Sequence, residues 1–167
     1  MTSVMRGTQT LAEQSVIHNT FVIERSYPHP PERVFAAFAN RATKQRWFSV
    51  SEQNEVERFE LDFRVGGPER MQYRFKEGTP IPGAVLANDG TYLEIVPNRC
   101  IVTASAMTLN DRRISASLLT IELLPTENGT DLICTHQGAF FEGADGPEMR
   151  QAGWRTLLER LGAELSR

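Results

Sequence analysis

The sequence predicts an α+β domain in which one long C-terminal helix covers one face of a large antiparallel sheet of about seven strands, with two short helices after the first strand. Pro147–Leu165 sets Trp154, Leu157, Leu158, Leu161 and Leu165 at helical spacing behind a proline suited to a first turn. Residues 54–138 instead alternate apolar and polar between turn signals, as half-buried strands do. A single long helix beside that many strands must cover one face of the sheet.

The elements follow in order. Residues 1–19 lack sustained periodicity and read as a flexible N-terminal segment, with at most a helical turn near Leu11–Ile17; a single domain is expected over 20–167. Thr20–Tyr27 alternates as a strand. Pro28, Pro30 and Pro31 then forbid a ladder but tolerate a helix start, and Val34, Phe35 and Phe38 supply the apolar stripe of that helix. A second short helix over about Ala42–Phe48 ends on Trp47 and Phe48. Phe59, Leu61 and Phe63 face one way and Arg58, Glu60 and Asp62 the other, up to the break at Gly66-Gly67-Pro68. Met71, Tyr73 and Phe75 repeat the pattern, so the two strands form a curved hairpin with an aromatic inner wall. Asp89-Gly90 and Asn128-Gly129 are strong two-residue turn signals and Asn110-Asp111 a weaker one. They divide strands near Thr91–Val96, Arg99–Met107, Ile114–Leu124 and Thr130–Gln137.

Composition bounds the function. A chain of 167 residues suffices for one domain that buries roughly 68–70% of its unfolded surface. The net charge of −3, with lysine only at Lys44 and Lys76 and arginines scattered as a solvated surface, gives no reason to expect nucleic acid as partner. No apolar run approaches the roughly 18–20 residues of a membrane span, and no signal-peptide core opens the chain, so a cytoplasmic protein is expected. Cys100 and Cys134 fall in strands separated by a third, too far apart to bridge, and read as small buried hydrophobes. Asn128-Gly129-Thr130 matches a glycosylation acceptor, which the hairpin reading accounts for without a secretion signal.

Few residues form a reactive pattern. His18 is expected in the N-terminal segment and His29 in a loop between prolines, so neither is placed to ligate a metal with the other, and no metal and no cofactor is expected. His136 shares a strand face with Leu132 and Cys134 and borders the interior, either as a hydrogen-bonded core histidine or as a ligand contact. Glu60, Glu94 and Glu122 read as surface charges. Ser105, Ser115 and Ser117 sit in no nucleophile elbow, and Gly66-Gly67 precedes a strand, not a phosphate-binding helix. No catalytic residue is assigned.

Pro30-Pro31-Glu32-Arg33-Val34-Phe35, Trp47-Phe48, Arg64-Val65-Gly66-Gly67, Gly90-Thr91-Tyr92-Leu93-Glu94-Ile95-Val96-Pro97, Gly129-Thr130-Asp131-Leu132, Thr135-His136-Gln137-Gly138 and Gly153-Trp154 carry a resemblance by their order and spacing. Over about residues 20–165 the chain resembles the START-related and birch-pollen-allergen (SRPBCC) superfamily, within it the bacterial family related to the activator of heat-shock protein 90 ATPase. The resemblance implies a helix-grip fold with a cavity between sheet and final helix.

A vacant cavity of about 300 Å³ would cost about 7 kcal/mol, so side chains, water or a ligand must occupy it. The candidate walls are Phe38, Trp47, Phe59, Phe63, Met71, Tyr73, Phe75, Tyr92, Met107, Phe140, Trp154, Leu157 and Leu158, with His136 at a polar edge. As a set they suit a hydrophobic or aromatic small molecule whose polar edge meets Tyr73, Tyr92 or His136. The leading expectation is therefore a binding domain without catalytic machinery. The alternative is an enzyme of the polyketide cyclase or aromatase type using His136, Tyr73, Tyr92 and Arg25. A chaperone co-regulator acting in the stress response, implied only by the family's name, ranks last, because one helix-grip unit without an obvious preceding chaperone-binding domain or polar linker is expected. Scattered apolar positions would also suit a homodimer.

Overall fold

A computed structural model describes residues 15–167. Seven antiparallel strands form one sheet, β1 (Val16–Tyr27), β2 (Asn54–Leu61), β3 (Pro68–Phe75), β4 (Val85–Val96), β5 (Cys100–Leu109), β6 (Arg112–Thr126) and β7 (Gly129–Phe141). The spatial order is β1-β7-β6-β5-β4-β3-β2. Strands β2 to β7 thus form a meander, and β1 joins its far edge by pairing with β7. Helix α1 (Pro31–Ala39) and the short helix α2 (Arg41–Lys44) carry the chain across from β1 to β2, and α3 (Pro147–Leu165) closes the fold.

Local chemistry explains the helix boundaries. Pro31 occupies the first turn of α1, and Val34, Ala37 and Phe38 form its buried stripe, with Phe35 half-buried edge-on to Phe63. Asn40 caps α2 by accepting a hydrogen bond from the Thr43 amide at 3.0 Å. The helix then widens into a π-turn over Gln45–Ser49, where the Val50 amide reaches the Gln45 carbonyl at 3.1 Å. This lets the consecutive residues Trp47, Phe48 and Ser49 all be buried, and the Trp47 indole donates to the Ala37 carbonyl at 2.9 Å. Helix α3 has the expected bounds, and its buried stripe runs Arg150, Trp154, Leu158, Leu161 and Leu165. The Tyr27 hydroxyl donates to the Leu158 carbonyl at 2.7 Å and ties β1 to α3.

Several local expectations are corrected. Strand β1 starts at Val16, not Thr20, because β7 is long enough to pair Val16 with Phe141 although Ile17 remains exposed. The helical turn expected near Leu11–Ile17 falls partly outside the described residues, and its described end is strand. Asp89-Gly90 is not a turn: β4 runs through both residues, held by β3 on one side and β5 on the other. Two ladders override a local turn preference, and a Cβ on Gly90 would lie 3.1 Å from Thr103 Cγ2 and 3.3 Å from Ser105 Cβ. Asn110 and Asp111 do form the β5–β6 turn, with φ of 51° and 65°. The β6–β7 turn uses Glu127 and Asn128, so Gly129 already pairs with Thr126. Cys134 is buried on the inner face beside Ile121, whereas Cys100 pairs with Glu122 on the outer face and is half-buried.

Candidate functional site

Register defines the concave wall. One inner row reads Tyr92, Thr103, Leu119, His136 and Phe21 across β4, β5, β6, β7 and β1. The next inner row reads Glu69, Gly90, Ser105, Ser117 and Gly138, and the one beyond it Met71, Asn88, Met107, Ser115 and Phe140. The middle row is short of side-chain volume at the centre of the sheet, so the wall recedes there from α3. The result is a cavity of about 630 Å³ between the sheet and the helix.

At 24 cal/mol per Å³, a dry void of that size would cost about 15 kcal/mol, the upper end of a whole domain's stability. Water or a ligand must therefore fill it. The exposed rim residues Glu52, Gln53, Met149 and Thr156 mark where the cavity meets solvent.

Met71, Tyr73 and Phe75 of β3, Met107 of β5, His136 of β7, and Trp154 and Leu157 of α3 line the cavity. The remaining expected wall residues do not. Phe38 of α1 and Trp47 of the π-turn pack edge-on against each other. Phe59, Tyr92, Phe140 and Leu158 are buried, and Phe63 lies past the end of β2 between Phe35 and Tyr92. Leu158 faces the core stripe of α3, and Phe140 is covered by Arg150, whose guanidinium lies 5.0 Å from its ring. Arg25 points along its own strand to the Glu24 carbonyl and does not line the cavity.

Periodicity missed the polar lining. Asn88, Thr103, Ser105 and Ser117 face the cavity, the two serine hydroxyls 3.3 Å apart. Glu69, on the inner face of β3, accepts from the Lys44 ammonium at 2.6 Å, and the Tyr92 hydroxyl donates to the same oxygen. Burial, with the Glu69 charge beside it, pushes the Tyr92 hydroxyl well above the usual phenol range, so its proton stays in that network. Lys44 also sits 4.7 Å from the Phe48 ring centroid. Arg150 forms a bidentate pair with Asp145 at 2.7 and 2.8 Å and donates to Ser115 at 2.9 Å. Lys44 and Arg150 are thus buried exceptions to the expected solvated cationic surface.

His136 is 2% exposed and stacks on Phe21 with ring centroids 4.7 Å apart. Its Nδ1 has no hydrogen-bond partner among the described residues, and neither does the buried Oδ1 of Asn54, another lining residue. Burial, reinforced by the Arg150 charge, pulls the His136 imidazole down to about 4, so it is neutral at pH 7. The inner-face position of Gly138 is required, since a Cβ there would lie 2.9 Å from His136 Cε1. Burial pushes the Cys134 thiol up to about 12, far from nucleophile chemistry at neutral pH. Among the described residues no three His, Cys, Asp or Glu side chains gather as metal ligands, and no helix is long and apolar enough to cross a membrane.

Comparison with known proteins agrees with this architecture. A search of curated proteins finds no match. Among solved structures the chain is similar to a Rhizobium leguminosarum protein at 35% identity and a TM-score of 0.85, covering 92% of this chain and 97% of that one. It is also similar to the Mll3558 protein of Rhizobium loti at 44% identity and a TM-score of 0.79, covering 90% and 99%. An AHSA1-like protein of Aeromonas hydrophila shares the fold at 18% identity and a TM-score of 0.64, covering 89% and 92%. The family model described as activator of Hsp90 ATPase homolog 1-like protein matches residues 28–166. With that match spanning strands β2 to β7 and all three helices, the chain belongs to the activator of Hsp90 ATPase homolog 1-like family.

Proposed function

We propose that this chain is a small-molecule binding domain whose cavity takes an amphiphile with an apolar, flat body and a hydrogen-bonding edge. The observation that carries the reading is the cavity of about 630 Å³ with aromatic walls on one side and Asn88, Thr103, Ser105, Ser117 and His136 on the other. The orphaned Nδ1 of His136 and Oδ1 of Asn54 are groups that a ligand edge or ordered water would satisfy.

His136 on the cavity wall also favours a second reading, acid–base chemistry of the cyclase or aromatase type. The binding reading ranks first because no hydrogen bond ties His136 to another titratable side chain among the described residues, and because Tyr92 is committed to Glu69.

The test is native mass spectrometry of the purified protein together with thermal shift against a panel of apolar and aromatic compounds. A co-purified mass, or stabilisation of roughly 2.7 kcal/mol at a hundredfold excess over Kd, is the expected result. A Ser117→Trp variant, which fills the recess, should lose the effect while still folding. An empty cavity that no compound stabilises would end this reading.

A further inference from the structure

The charges facing the cavity are unequally satisfied. Glu69 has Lys44, and Arg150 has both oxygens of Asp145. Arg160, one turn beyond Leu157 on α3, lines the same cavity and has no carboxylate within 4.0 Å among the described residues. Among the described residues its one hydrogen bond is a long contact of 3.4 Å to the Arg46 carbonyl, and Arg46 itself pairs with Glu164. A guanidinium carries five donors in a planar fork, so most of this one is unused. Arg160 is half-buried, and burial lowers its proton affinity against the usual arginine value, the sign of a cation held without its anion.

A second donor faces the same space. The Tyr73 hydroxyl lines the cavity and makes no hydrogen bond among the described residues. Burial holds that phenol above its usual range, so it remains a proton donor at neutral pH. Glu52, the remaining acid on the lining, is exposed on the rim and pairs with no cation among the described residues.

Resting on the binding function proposed above, we infer that the ligand is an organic acid: Arg160, with the Tyr73 hydroxyl, receives its carboxylate, and its apolar body lies along Phe75, Leu86 and Met107. Arginine suits this role because its fork matches the two oxygens of a carboxylate, whereas the paired Arg150 is already occupied in that way by Asp145.

The experiment compares cis-parinaric acid with its methyl ester, two fluorescent probes of equal body that differ in one charge. The wild-type protein should bind the acid roughly tenfold tighter than the ester at low salt, as hydrogen bonds to charged groups imply, and added salt should narrow the gap. Arg160→Gln should remove the preference by weakening the acid alone, Arg160→Lys should restore part of it, and Tyr73→Phe should weaken the acid several-fold with the ester unchanged. Equal binding of acid and ester, or an Arg160→Gln variant that weakens both alike, overturns the inference and leaves the binding function standing. Binding of neither probe, with a compound panel that stabilises the protein, overturns the inference alone; binding of neither with no stabilising compound overturns both.

Discussion

Replacing His136 by phenylalanine should change how stability depends on pH more than how much stability there is. The aromatic ring can keep the stack on Phe21, 4.7 Å away in the wild type, while the titratable nitrogens are removed. In the fold the imidazole is pulled from 6.5 to about 4 by burial and by the Arg150 charge. The unfolded chain therefore takes up the proton first as pH falls. The contribution of the neutral imidazole is complete above about pH 6.5, declines between 6.5 and 4, and is gone below about 4. At about 1.4 kcal/mol per tenfold change in proton affinity, the difference amounts to about 3 kcal/mol. Urea unfolding of wild type and His136→Phe at pH 7.5, 6.5, 5.5 and 4.5 reads it, and carboxylates common to both proteins cancel in the difference. The wild type should lose most of that 3 kcal/mol relative to the variant across the series. Parallel stability curves would show that His136 titrates normally, and the account of its buried, neutral state would be wrong.

Lys44→Met should destabilise by about 3–5 kcal/mol, because Glu69 is left buried without its cation; the double variant with Glu69→Leu should recover much of that loss in a urea double-mutant cycle. Leu158→Ala, at a fully buried position, should cost about 2–5 kcal/mol, while Leu157→Ala on the cavity wall should cost less than half as much, since it adds to space already open. Equal losses at the two positions would contradict the cavity. Gly138→Ala should cost about 1–3 kcal/mol by driving a methyl into His136 and Phe140, and a thermal midpoint matching the wild type would refute that contact.

The long periods were legible and the exceptions to them were not. Trp154, Leu158, Leu161 and Leu165 marked the buried face of α3, and the alternation of Met71, Tyr73 and Phe75 marked the inner face of β3. A large apolar side chain announces that it is buried, but not whether its neighbour is protein or empty space. Phe59, Tyr92 and Phe140 meet protein, while Met71, Tyr73 and Met107 meet the cavity, and the difference lies in which residues stand across the sheet from them. The recess itself lies over short side chains, Ser105 and Ser117, set opposite each other by the register of β5 and β6. Their spacing in sequence gives no periodic signal. Glu69 and Arg150 look like surface charges when read alone, and only the approach of Lys44 from α2 and of Asp145 from the loop before α3 turns them into buried pairs.

The widened turn at Gln45–Ser49 has a consequence for chain length. An α-helix advances about 100° per residue, so three neighbours fan out over some 200° and cannot all turn inward. Trp47, Phe48 and Ser49 do turn inward because the i to i+5 geometry absorbs one extra residue without displacing what flanks it. Deleting a single residue there would rewind the segment to ordinary pitch and swing one aromatic ring into water. In this part of the molecule an insertion or deletion amounts to a repacking of the interior, and alignments that place gaps there describe a different core.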